Sequence, residues 1–322
     1  QPPAPDPMTF SRTALLALLL TAACDAQSRP RTAFDGQAAL GYVRTQVAFG
    51  PRVPGTAGHR RAGDWIVAQM RTRADTVLEQ RWTHVTIQGD SLPMRNVMAR
   101  IRPELPDRVL YVAHWDTRPI ADYDADPTKR RTPIAGANDG GSGVALLIGV
   151  ADALRKTPPT VGVDLLFVDG EDYGRFGDLA THKDVLIGAT RFAEQPPVAR
   201  YQPLFGVVWD MIGDADLQIL QETQSMQGAP EVVQRVWRTA AELGYGHVFL
   251  EQSAGSIDDD HVPMLRRGMR VIDVIDLKYG PLDRLGNPSP NYHHTTQDTI
   301  DKVSARSLQI VGDVAVALVT SR

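Results

Sequence analysis

The chain has 322 residues, of which 43% are hydrophobic and 22% charged, and these globular proportions exclude a disordered chain, a collagen-like repeat and a polytopic membrane protein. Lys and Arg total 34 against 38 Asp and Glu, a formal net charge of −4, so no basic excess exists to neutralise phosphates and no nucleic-acid partner is expected. A single cysteine rules out an internal disulfide and a multi-cysteine metal site, which leaves the 8 histidines and the carboxylates as metal ligands.

In chain order, the first feature is an address. The residues ahead of Met8 are set aside; Arg12 then precedes a small, apolar run from Thr13 to Ala23, followed by Cys24. One positive charge, an apolar stretch and small residues before a cut site describe an export signal. The run of about eleven residues is shorter than the ~20 that span a bilayer. Leu20-Thr21-Ala22-Ala23-Cys24 resembles a bacterial lipoprotein box, in which the cysteine becomes the lipidated first residue; an ordinary cleaved signal with an incidental cysteine is the other reading. Residues 1–24 are read as this signal and 30–322 as one catalytic domain. The mature protein is expected outside the cytoplasm of a bacterium, periplasmic or held to the inner or outer membrane through Cys24.

Strands are predicted at 81–88, 95–102, 108–114, 163–169, 205–211, 216–221 and 270–276, and helices at 36–47, 57–74, 141–155, 187–194, 230–243 and 303–320. Continuous apolar runs such as Val109-Leu110-Tyr111-Val112 and Leu165-Leu166-Phe167-Val168 suit strands buried on both faces. Alternation with amphipathic helices makes the fold class α/β, three layers deep, with a mixed and mostly parallel central sheet. Gly- and Pro-rich stretches at 119–140 and 278–291 read as long loops within the domain, a length that is uncommon unless the loop is functional.

Polar chemistry gathers where the predicted strands end, which is where open α/β sheets place their ligand crevice. The run 112–117 delivers His114 and Asp116 two residues apart, and period-two alternation points both the same way. Asp139 stands in a glycine-rich turn before the helix at 141. Glu171 and Asp172 follow the strand ending at Asp169. Asp210 is embedded in the apolar run 207–213. Asp258, Asp259, Asp260 and His261 come late, followed by Tyr292, His293 and His294.

Taken singly, each has a plain structural reading. Asp139 would cap a helix, Glu171 and Asp172 would be a solvated pair, His114 a satisfied core histidine, and 258–260 an acidic loop. Asp210 resists this, because a buried, unpaired carboxylate is costly. Together they are four or five carboxylates at successive strand ends, which would repel one another by several kcal/mol, on the order of the Coulomb energy at low effective dielectric, unless a divalent cation joins them. Imidazole and carboxylate without thiolate suit Zn²⁺ in an open, catalytic arrangement. The motifs HExxH, GxSxG, the Walker loop and GxGxxG after a strand are absent from the chain, which sets aside a helix-borne metalloprotease, a serine hydrolase and a nucleotide-dependent enzyme.

Six segments in order, AHWDTRP, GANDGGSG, DGEDYG, WDMIG, DDDHVPMLRRG and HHTTQDT, resemble the zinc aminopeptidase superfamily that also contains animal-type glutaminyl cyclases. The resemblance covers most of 35–320, and the stretch Ile257–Gly268 is the most cyclase-like. It implies the zinc exopeptidase (phosphorylase/hydrolase-like) fold. It also implies that Asp139, Asp172 and His294 bind zinc, that Glu171 is the general acid/base, and that Asp210 and Asp259 support it by hydrogen bonding. In two-metal aminopeptidases the matching positions would make His114 and Asp210 ligands of a second zinc, with Asp139 bridging. Trp115, Asp258 and His293 are the candidates for substrate contact. Asp172 stands where animal cyclases carry Glu, His293 where they carry Trp, and Asp273 where they carry His.

The resemblance leaves two chemistries. Cyclisation of an N-terminal Gln to pyroglutamate, with release of ammonia and one zinc per chain, is favoured on the Ile257–Gly268 stretch. Hydrolysis of N-terminal residues by a two-zinc site is the alternative. Either acts on peptides or proteins with a free N-terminus. A non-catalytic binding module is disfavoured, because every ligand and base position carries a competent side chain.

Overall fold

The computed structural model describes residues 32–176 and 182–321. The export signal and Cys24 lie outside the described residues. No helix among the described residues is long and apolar enough to cross a membrane.

Six strands form the central sheet in the order β1 (Thr76–Val85), β2 (Ser91–Ile101), β4 (Gly162–Val168), β3 (Arg108–His114), β5 (Phe205–Asp210) and β8 (Val271–Ile275). The β1–β2 and β2–β4 pairs are antiparallel, while β3 with β4, β3 with β5 and β5 with β8 are parallel. The sheet is therefore mixed and mostly parallel, as the alternating pattern implied. All residues of β3, β4, β5 and β8 are buried, the signature of strands covered on both faces. A small second sheet pairs β6 (Ile219–Glu222) with β7 (Phe249–Gly255).

Alternation along the strands sorts the core into two layers. Odd positions on β3 (Val109, Tyr111, Ala113) face α1 (Gly36–Ala48), α3 (Gly141–Lys156) and α8 (Ala305–Thr320). Even positions (Leu110, Val112) join Leu166, Val208 and Val271 against α4 (Ile187–Glu194) and Met264 of α7 (His261–Arg266). Helix α2 (Ala57–Arg71) packs against β1 and β2, and α6 (Pro230–Glu242) against α8. The chain leaves β3 for β4 on one side and then returns to β5 on the other. This reversal of strand order opens a crevice at the C-terminal end of β3, where His114 lies. At the opposite end of the strands, buried Asp164 accepts from Arg108 at 2.5 and 2.6 Å, Arg100 at 3.0 Å and Tyr201 Oη at 2.9 Å, which pins β2, β3 and β4 together.

Some boundaries differ from expectation. The first strand begins at Thr76 rather than 81 and ends at Val85, because Thr86–Asp90 turns through Gly89 at φ +93° into β2. Thr76–Gln80 is a half-buried edge segment whose only apolar residues, Val77 and Leu78, are adjacent and so show no period-two alternation. The strand expected from 216 starts at Ile219. Strand β7 and the six-residue helices α5 (Thr223–Gly228) and α7 were not expected. β7 is mostly exposed, and helices this short span too few turns to show a period.

Candidate metal centre

His114 ends β3 and, by alternation, points to the α4–α7 face with Leu110 and Val112. The next residue therefore points the other way. Trp115 is fully buried in the opposite layer, stacked on His59 at 4.2 Å, with its indole N–H donating to Arg95 O at 3.1 Å. The expected substrate contact at Trp115 is corrected: the strand's own pleat turns the ring away from the cavity. Trp209 is likewise core, edge-on to Tyr111.

Asp139 precedes the α3 N-cap, Gly140, which makes no side-chain cap bond. The helix-cap reading of Asp139 does not hold; Asp298 instead accepts the N–H groups of Asn138 at 2.8 Å and Asp139 at 3.2 Å. Gly140 sits at φ +70° with no room for a side chain, since a Cβ would come 2.8 Å from His114 Cε1. The turn thus brings Asp139 Oδ1 to 3.1 Å from His114 Nε2, which also lies 3.2 Å from Asp210 Oδ1. Asp139 Oδ2 faces the other way, 3.6 Å from His294 Nε2, which is 3.3 Å from Asp172 Oδ1.

Of the two sets expected from the sequence, His114, Asp139 and Asp210 bring ligand atoms within 4.8 Å of one another, while on the other side of Asp139 the group so gathered is Asp139, His293 and His294, with Asp172 beside it at 3.3 Å from His294. Neither nitrogen of His114 has hydrogen-bond geometry to a partner among the described residues, nor does Asp139 Oδ2 or Asp172 Oδ2, though all are buried. Such orphaned atoms need an occupant. Ligands bound to zinc at ~2.0 Å in a tetrahedron stand about 3.3 Å apart, so the 3.1–3.6 Å spacings match ligands facing one ion better than hydrogen-bonded pairs. The donor set fits zinc. His293 also offers an atom within 4.8 Å of Asp139 and His294, and its half-buried ring stands at the cavity wall.

The supports around these residues are specific. Asp116, buried 3.4 Å from His114 Nδ1, accepts the backbone N–H groups of Glu171 at 3.0 Å and Asp172 at 3.2 Å. Arg118 donates to Asp172 Oδ1 at 2.6 Å and grips Asp122 with two bonds at 2.8 and 2.9 Å. Asp122 in turn lies 4.0 Å from His294 Nδ1, an outer carboxylate behind a ligand imidazole. The two long loops lock onto each other: Thr296 donates to Asp124 at 2.6 and 3.0 Å, and Tyr123 N–H to His294 O at 3.2 Å. His294 and Met211, both on the cavity, hold left-handed φ values of 53° and 45°, conformations a folded scaffold must enforce.

Glu171 lines the cavity with Asp210 and Asp259, its Oε2 3.7 Å from His114 Nδ1. Burial pushes its carboxyl well above the usual carboxylate range; His114 opposes this, while Asp172, Asp259 and Asp260 add to it. Asp210 is pushed up to about 6, first by burial, with Asp259 and Asp139 contributing against His114. Asp258 is exposed at the rim of the cavity and His293 forms part of its wall. The cavity of about 190 Å³ is below the ~300–1,000 Å³ typical of drug-sized sites, room for one residue with the rest of a chain outside. Met211, Ile257, Ile275 and Leu277 supply apolar walls, with Phe176 and Tyr123 toward the opening. Sequence reasoning missed Arg118, Asp122 and Asp298, and it named Asp260 and Asp273 without giving either a role. Arg118 and Asp298 lie inside recognised segments and were visible there.

The fold is that of solved Zn-dependent exopeptidases and glutaminyl cyclases. The chain belongs to peptidase family M28, whose profile matches residues 96–319. A solved glutaminyl cyclase of Porphyromonas gingivalis is 38% identical, covering 89% of this chain and 98% of that one, with TM-score 0.82. A solved Zn-dependent exopeptidase of Parabacteroides distasonis is 36% identical over 90% of this chain and 99% of that one, with TM-score 0.83. An aminopeptidase of Bacillus subtilis is 23% identical over 84% of this chain, and the chain spans only 53% of that enzyme's length.

Proposed function

We propose that the protein is a zinc-dependent glutaminyl-peptide cyclotransferase, closing the N-terminal Gln of peptides or proteins to pyroglutamate with release of ammonia. The observation that carries this reading is the placement of Glu171. It is buried in a one-residue cavity with apolar walls and flanked by Asp210 and Asp259, an environment for moving a proton between nitrogens with little water present. The 38% identity to a bacterial glutaminyl cyclase supports it.

In this reaction the free α-amine attacks the side-chain amide carbon of the same residue; a C–N bond forms and the amide C–N bond breaks. Because attack is intramolecular, the site mainly has to hold the folded-back conformer. The apolar walls press the methylene chain into that shape and keep competing water out. Glu171 takes a proton from the attacking amine and delivers it to the departing nitrogen, which leaves as ammonia. Asp139, Asp172 and His294 would hold zinc, which supplies Lewis-acid polarisation of the amide carbonyl. Asp258 at the rim is placed to meet the substrate's positive amine before it sheds its proton.

One observation favours a second reading. His114, Asp139 and Asp210 offer ligand atoms within 4.8 Å of one another, so a second zinc has a place and aminopeptidase chemistry has its two-metal set. Products separate the two. A Gln-initiated dipeptide incubated with zinc-loaded protein should yield the pyroglutamyl dipeptide and one equivalent of ammonia, with no free Gln. Release of N-terminal Leu from a peptide, without ammonia from the Gln substrate, would establish hydrolysis instead. The N-terminal signal pattern further supports action outside the cytoplasm, on exported or extracellular peptides.

A further inference from the structure

A second cavity adjoins the first and has no part in the proposed reaction. It encloses about 450 Å³, against about 190 Å³ at the metal centre, and falls within the ~300–1,000 Å³ range of ligand sites. Val185, Leu186 and Ile187 line it together with the half-buried ring of Trp82 from β1. The two cavities share a wall. Leu186 N–H donates to Glu171 O at 3.0 Å and Ile187 N–H to Gly170 O at 3.1 Å, so a backbone hydrogen bond joins the lining of one cavity to that of the other. A second segment links them as well: Asp259 edges the first cavity and Pro263 of α7 the second. A chain reaches about 3.5 Å per residue at full stretch, so Asp259 and Pro263 lie within about 14 Å of each other.

The second lining is cationic, in a chain whose overall charge is −4. Lys183 ahead of α4, Arg191 of α4 and Arg266 of α7 all contribute, and none of the three has an ion-pair partner among the described residues. Glu194 is the one acid among the described lining residues, and it is engaged by Arg267 at 3.0 Å. The lining imidazole of His84 bonds Asp184 at 2.8 Å. The Arg191 guanidinium carbon lies 5.9 Å from the centroid of the Trp82 ring, a contact that helps fix the head group. Its Nε is buried and meets no acceptor. A buried guanidinium N–H without an acceptor is costly until a ligand supplies one. Uncompensated cations beside apolar side chains suit carboxylates carried on a peptide.

We propose that the second cavity docks acidic side chains of the peptide substrate, carried roughly four to six residues beyond its N-terminus. The metal cavity has room for one residue, so the chain that follows has to leave it. At ~3.3 Å per residue an extended peptide covers the ~14 Å to the neighbouring wall in about four residues. Its carboxylates there meet Lys183, Arg191 and Arg266, while Trp82 and Leu186 receive adjacent apolar groups. The inference rests on the reading of the metal cavity as the seat of a peptide N-terminus, and it adds which peptides the enzyme prefers.

Two Gln-initiated peptides, alike except for Glu or Gln at roughly positions five to seven, test this on the zinc-loaded protein. At low salt the acidic peptide should show a kcat/KM about tenfold above the neutral one, as about two or three half-exposed ion pairs would give. The ratio should fall to within about twofold at about 1 M salt, where charges are screened beyond about 3 Å. Lys183→Gln combined with Arg266→Gln changes two exposed side chains and should bring the low-salt ratio to within about twofold. Because the ratio is taken within each protein, a general loss of activity does not imitate this result, and the salt series needs no variant. The acidic peptide with an acetylated N-terminus, which neither cyclisation nor aminopeptidase chemistry consumes, should bind wild type about tenfold more tightly than the double variant in calorimetry. A ratio near one in wild type, a preference that survives in the double variant, or equal affinity of the acetylated peptide for both proteins would each overturn the proposal. Binding of inorganic phosphate that the double variant loses while the peptide preference stays intact would make the cavity a small-anion site instead. Absence of ammonia from both peptides would count against the cyclase reading, and the acetylated peptide would still decide the docking site.

Discussion

Glu171→Gln is expected to lower kcat by ~10²–10⁴-fold, the usual contribution of a positioned acid/base, while zinc content and melting temperature stay at wild-type levels. The amide is isosteric and keeps the backbone contacts, since Glu171 N–H binds Asp116 at 3.0 Å and Glu171 O receives Leu186 N–H at 3.0 Å. Only the proton carrier is lost. Burial holds the Glu171 carboxyl well above its ordinary range, and Asp172, Asp259 and Asp260 reinforce this. A carboxyl so placed takes up a proton readily at neutral pH and gives it back, which is what transfer between two nitrogens requires. Metal analysis beside steady-state kinetics checks the expectation. Retention of most turnover would move the acid/base elsewhere.

Removing zinc with a chelator should destabilise the fold, and the gap in melting temperature between loaded and stripped protein should widen as pH rises from about 5 to about 8. In the metal-free fold Asp210 is pushed up to about 6 by burial, and Asp298 up to about 7 by burial and then by Asp139. Each pKa is raised above its unfolded value, so the folded metal-free chain binds protons that the unfolded chain has released. That stability is present below the ordinary carboxylate range near pH 4 and is lost as pH climbs through about 6 and about 7. Zinc supplies the missing positive charge and binds better as protons leave. Thermal scans of stripped and reloaded samples across this range give the answer. A gap that narrows with rising pH would mean that the carboxylates are not crowded around the metal position.

The central strands were legible because burial on both faces leaves an unbroken apolar run, as in Val109–Val112 and Leu165–Val168. The ligands were legible because they stand at the ends of those runs. His114 and Asp116 kept the same-side relation their spacing implies and meet at 3.4 Å. The same pleat, applied one residue further on, would have excluded Trp115, whose aromatic character suggested a pocket wall. Residues that act across elements were not readable. Arg118 reaches Asp172 from a loop 54 positions away, and Asp298 orients Asp139 from 159 positions away, so only the packed chain reveals either partner.

The account stands on a metal ion bound where β3, the turn at Asp139 and the loop at His294 converge. Anomalous diffraction at the zinc edge from crystals of the loaded protein tests it most directly. One peak within bonding distance of Asp139, Asp172 and His294 is the predicted result. A second peak of equal strength between His114, Asp139 and Asp210 would contradict the single-zinc cyclase, and no peak among these residues would contradict the metal centre itself.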